Sequence, residues 1–68
     1  MNIFSSRLQQ LRIEAGLTQL QLAKILNTTQ RRISYLESGK IEPDLNTLIF
    51  IAKYFEVSSD FLLGLKDY

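Results

Sequence analysis

Residues 18–37 read TQLQLAKILNTTQRRISYLE, from Thr18 to Glu37, and the fold follows from how this stretch is divided. Thr18 belongs to the residue types that cap helix N-termini, and Leu22, Ala23 and Leu26 follow it at helical spacing. Asn27 interrupts that stripe, and asparagine tolerates a positive φ better than any residue but glycine. Thr29 is a second cap. After it Ile33 and Leu36 form the inward side of another short helix, ended by Ser38-Gly39. Two helices separated only by residues 27–29 must turn a sharp corner and share one core. Ala23 is small where the next helix has to come close. A generic helical hairpin has the same features, so the stretch predicts the corner before it predicts a use.

The flanks continue the pattern. Phe4, Leu8, Leu11 and Ala15 form one helical stripe, with Gly16 as its stop. Glu42 precedes Pro43 and is pushed towards extended geometry, so a new helix begins only after Asp44, its cap. Leu45, Leu48, Ile51, Ala52 and Phe55 are the expected inward residues of that helix. Ser58 caps a last short helix that stops at Gly64. Strand alternation and hairpin dipeptides are absent. The expectation is a single all-α domain over 1–68, a compact five-helix bundle with helices at about 4–15, 19–26, 30–38, 45–55 and 59–63.

Composition narrows the function. At 68 residues, a chain buries only about 60% of the surface it exposes unfolded, and a 46% hydrophobic content is enough to build such a core. There is no Cys and no His, which removes disulfides, thiolate nucleophiles, the usual zinc ligands and the usual general base near neutral pH. Phosphate-loop glycines and paired carboxylates are missing as well. The expectation is a protein that is not an enzyme and has no metal, cofactor or small-molecule ligand. Met1 to Ser6 show no charged stretch leading into a long apolar run, and no apolar run approaches the roughly 20 residues of a membrane span. A soluble cytoplasmic domain is expected.

Net charge is only +1, but its distribution is uneven. From Arg7 to Lys40 six cations face two anions, giving +4, whereas from Ile41 onward two cations face five anions, giving −3. One end is therefore suited to a polyanion, unless the asymmetry is ordinary scatter in a small domain. On a helical wheel, Gln30, Arg31, Ser34, Tyr35 and Ser38 lie opposite Ile33 and Leu36. A polar outer face is the default for any surface helix. This one carries no acid, and its side chains suit base edges. Gln pairs bidentately with adenine, Arg does so with guanine, and Tyr offers a flat face to a thymine methyl.

The joint pattern Leu11-Arg12, Gly16-Leu17-Thr18-Gln19, Leu22-Ala23, Leu26, Ile33-Ser34, Leu36-Glu37-Ser38-Gly39-Lys40, Pro43, Leu45, Thr47-Leu48, Ala52, Val57-Ser58 and Leu62-Leu63-Gly64 resembles the Cro/cI-type (XRE-type) helix-turn-helix DNA-binding domains. The resemblance runs from Phe4 to about Gly64. It implies a lambda-repressor-like five-helix bundle and sequence-specific binding of double-stranded DNA by a transcriptional regulator. Most members are bacterial or phage repressors that bind operators as dimers. It implies base contacts from Gln30, Arg31, Ser34 and Tyr35. Phosphate contacts fall to Gln19, Thr29, Arg32, Lys40 and the backbone around Leu45. Arg12 and Glu37 match a partly buried salt bridge.

Departures from the common pattern are Asn27 in place of the turn glycine, and Arg32 and Tyr35, so no target sequence carries over. Phe50 and Tyr54 stand where many relatives are polar. With Phe61 and Leu65 they are the candidates for a homodimer contact, with aromatic filling of an undersized core as the other reading. An antitoxin-like or anti-repressor module, using the same fold to bind protein, is the alternative function.

Overall fold

The computed structural model describes residues 2–67, so Met1 and Tyr68, the ends of the expected 1–68 domain, lie outside the described residues. Five helices follow in order: α1 (Ile3–Glu14), α2 (Gln19–Ile25), α3 (Gln30–Ser38), α4 (Leu45–Phe55) and α5 (Ser59–Leu63). Each starts on a side chain that accepts the N–H three residues on: Asn2 from Ser5, Thr18 from Gln21, Thr29 from Arg32, Asp44 from Thr47 and Ser58 from Phe61. Satisfying one of the orphan donors at each helix start fixes where the chain turns inward. Gln21 completes a capping box by accepting the Thr18 N–H at 2.8 Å.

The helix ends share a second device. Asn27 and Glu56 adopt φ 55°, alongside three glycines with φ of 72° to 80°. After Asn27, the Thr28 N–H reaches back to Ala23 O at 2.8 Å and the Asn27 N–H to Lys24 O at 3.2 Å. These are the two bonds of a Schellman motif, and they turn the chain within three residues. Gly64 also has a packing reason. A Cβ there would lie 2.8 Å from Ile3 Cγ2, so the end of α5 is pressed against the start of α1.

Phe4, Leu8, Leu22, Ala23, Ile33, Leu36, Ile51 and Leu62 form the buried core, with at least one residue from every helix. Helix α3 packs on both α1 and α2, and α5 on both α1 and α4. The inner side of α3 is thus clamped while its outer side is left to solvent.

Three expectations are corrected. Ala15 is exposed as the residue that caps α1, so the α1 stripe stops at Leu11. Leu45 is 75% exposed rather than inward, because it begins α4 beyond the reach of the helices that cover Leu48 and Ile51. Helix α1 begins at Ile3, one residue early, because Asn2 is its cap.

Candidate nucleic-acid interface

The exposed start of α3 is where the cationic side chains converge. Thr29 Oγ1 accepts the Arg32 N–H at 3.1 Å, which leaves its hydroxyl proton available to a ligand. The N–H groups of Gln30 and Arg31 occupy the first turn, where a helix offers no partner. No acid lies in that turn, although an acid is the usual complement to a helix N-terminus. The site is thereby left open to an anion. Gln30 and Arg31 are exposed, whereas Ser34 and Tyr35 are half-buried one turn on.

Arg31 is braced. Its Nε donates to Tyr35 Oη at 2.9 Å, and its guanidinium carbon lies 5.3 Å from the Tyr35 ring centroid. Lys40 sets its Nζ 4.8 Å from the same centroid. Arg31 and Lys40 are therefore gathered on one ring. Arg32 behaves differently. Its Nη2 sits 3.5 Å from Thr47 Oγ1 and 3.9 Å from Asp44 Oδ1, turned towards the start of α4. Leu45, exposed, is the first residue of α4, next to the Asp44 cap. The Asp44 carboxyl is held below its ordinary value of 3.8, by the side-chain hydrogen bond with Thr47 first and by the Thr47 N–H second.

Behind this surface lies an internal ion pair. Arg12 Nε donates to Glu37 Oε2 at 2.6 Å, and Arg12 Nη2 to Glu37 Oε1 at 3.1 Å. The side chains are only 12% and 3% exposed. Arg12 Nη1 also donates to Leu17 O at 2.8 Å, which ties the α1–α2 turn to the pair. Gln19 Nε2 donates to Glu37 Oε1 at 3.2 Å, so the amide expected to meet phosphate is anchored on α3. Its amide oxygen is an acceptor. A Gln19 contact to phosphate therefore falls to its N–H groups.

The apolar candidates divide. Phe50 and Tyr54 are exposed and stacked, with centroids 6.5 Å apart and planes at 11°. Leu65 is 72% exposed. Phe61 instead packs against the core beneath the Arg7 guanidinium, 4.3 Å from its ring centroid, and stands apart from the exposed three. Sequence reasoning gave Arg7 no role. It donates to the Phe61 and Lys66 carbonyl oxygens and lies 3.5 Å from Asp67, fastening the chain end to α1. Among the described residues, no group of three His, Cys, Asp or Glu is placed to hold a metal ion, and no helix is long and apolar enough to cross a membrane.

Known proteins share this fold. A transcriptional regulator from Listeria innocua superposes with a TM-score of 0.85 at 41% identity, covering 90% of this chain and 57% of its own. The P22 c2 repressor, solved in complex with synthetic operator 9T, superposes with a TM-score of 0.86 at 24% identity, covering 97% of this chain and 100% of its own; that likeness is one of fold. The transcriptional activator BcrR of Enterococcus faecalis is 47% identical over 61 residues, which are 90% of this chain and 30% of BcrR. The regulator ImmR of Bacillus subtilis is 39% identical over 61 residues, 90% of this chain and 47% of ImmR. The chain thus spans about half or less of the length of these curated relatives. A helix-turn-helix family model matches residues 8–62, which include the whole of α2, the Asn27 turn and α3, and the chain belongs to the XRE-type helix-turn-helix family of DNA-binding domains.

Proposed function

We propose that this chain regulates transcription by binding double-stranded DNA in a sequence-specific way, with α3 in the major groove. The observation that carries the reading is the exposed, acid-free start of α3, where Gln30 and a braced Arg31 are both exposed. Gln30 and Arg31 have the donors to read adenine and guanine edges. Ser34 and Tyr35 line the same face one turn further on. Thr29, Gln19, Arg32, Lys40 and the backbone at Leu45 flank this face and are suited to phosphate, which positions α3 without reading sequence. The fold likeness to the P22 c2 repressor, itself held on an operator, supports this placement. Repression is the proposed output, since occupying an operator is sufficient for it. The proposed state is a homodimer on an inverted repeat, in the cytoplasm.

Selecting bound duplexes from a random pool tests the reading. The expected result is one enriched motif with two inverted half-sites about 34 Å apart centre to centre. The affinity should fall steeply as salt rises, and Lys40→Ala should reduce that slope by about one unit. No enrichment, or binding insensitive to salt, would instead favour the protein-binding module.

A further inference from the structure

The outer face of α3 holds one ring and two cations as a single cluster. The Tyr35 ring is half-buried, and the Tyr35 carbonyl accepts N–H groups from Lys40 at 2.9 Å and Ile41 at 3.4 Å. Arg31 is exposed, and its guanidinium is restrained by its contacts with Tyr35. The ring is the fixed member of the cluster, and the guanidinium is the member being held.

Arginine has five N–H donors, one on Nε and two on each Nη. A guanine edge presents O6 and N7. It can be met side-on by Nε with one Nη, or end-on by the two Nη groups together. Because Arg31 Nε already donates to Tyr35 Oη at 2.9 Å, the side-on pairing is closed. The end-on fork of the two Nη groups remains. Holding the guanidinium there also reduces the freedom it loses on binding.

We propose that Tyr35 is a positioning residue, which fixes Arg31 for end-on reading of guanine and adds to sequence preference through Arg31 instead of by a base contact of its own. This rests on the DNA-binding reading above. It replaces the thymine-facing role expected for Tyr35 from the sequence.

The test uses the operator selected by the full chain and its single-base variants. Wild type, Tyr35→Phe, Arg31→Ala and the double variant are each titrated with these duplexes and with random duplex, and the thermal unfolding of each is recorded. Arg31→Ala should lose about 10-fold or more of its guanine preference at one position. Tyr35→Phe removes only the hydroxyl. It should lose about 3- to 10-fold at that same position, more than it loses on random duplex, with Tm unchanged. In the Arg31→Ala background it should add nothing. Full guanine preference in Tyr35→Phe, or additive losses in the double variant, overturns the positioning role while leaving DNA binding intact. A wild-type chain with no sequence preference overturns both.

Discussion

At the scale of single residues, the ion pair behind the candidate interface is costly to break from one side. Arg12 and Glu37 are almost fully desolvated, bidentate, and joined by Gln19 and the Leu17 carbonyl. Removing one partner leaves the other charged, buried and unpaired. Glu37→Ala should therefore cost about 3–5 kcal/mol, against the ~0–1 kcal/mol of an exposed pair. Chemical denaturation of Arg12→Ala, Glu37→Ala and the double variant measures this, and absence of coupling would show that the pair is not a unit. The pairing was legible in sequence only through the family pattern, since residues 12 and 37 share no local periodicity. Arg7 was not legible by any route. Two of its partners are backbone carbonyls 54 and 59 residues away, and carbonyls leave no mark on the residue type that carries them.

At the scale of elements, what could be read was local. The caps Thr18, Thr29, Asp44 and Ser58, and the asparagine turn, each depend on a few consecutive residues, so spacing and chemistry suffice to find them. Leu45 and Ala15 went the other way. Both lie on apolar stripes, but a stripe does not say how far the neighbouring helix reaches to cover it. Glu56 also escaped notice, because nothing in glutamate favours the φ of 55° that it adopts after α4. An L-residue with a bulky side chain is strained there by roughly 1–2 kcal/mol, and asparagine less so. Glu56→Asn should raise stability by about 0.5–1 kcal/mol, or several degrees in Tm for a domain this size. A lower Tm would mean that Glu56 makes a compensating contact. The Asp44 cap adds a pH dependence. Its pKa is lowered on folding, so its contribution to α4 is complete above the ordinary carboxylate value and is lost as pH falls through the lowered one. Exchange of the Thr47 amide, which donates to Asp44 Oδ1 at 2.8 Å, should stay protected down to acidic pH and then rise. In Asp44→Asn the same amide should show no such step.

At the scale of the whole molecule, size argues for pairing. The longest dimension is 28 Å, and α3 is nine residues long, enough to cover only a few base pairs. One such helix discriminates poorly among the many competing sites of a genome, whereas two on an inverted repeat multiply their preferences. In the proposed dimer, two α3 helices about 34 Å apart would be separated by slightly more than the length of one protomer, which sets the copies side by side. Helix α4 supplies a suitable edge. Its inner side buries Ile51, yet Phe50 and Tyr54 remain 47% and 45% exposed on the outer side. Paired exposed rings on an outer helix face make an apolar patch suited to a subunit contact. Tyr54 stacks on Phe50 and meets Phe55 edge-on at 5.0 Å, so the exposed rings are ordered from beneath by the packed side of α4. Tyr54→Asp and Phe50→Asp should leave the Tm within a few degrees of wild type, because neither ring belongs to the buried core. Each should keep its affinity for a single half-site and lose cooperative filling of the two-half-site operator. Phe61→Asp is a poor substitute for this test, because it would also strip the ring from beneath Arg7. Wild-type stoichiometry and affinity on the full operator, in both α4 variants, would move the subunit contact elsewhere, with Leu65 the next exposed candidate.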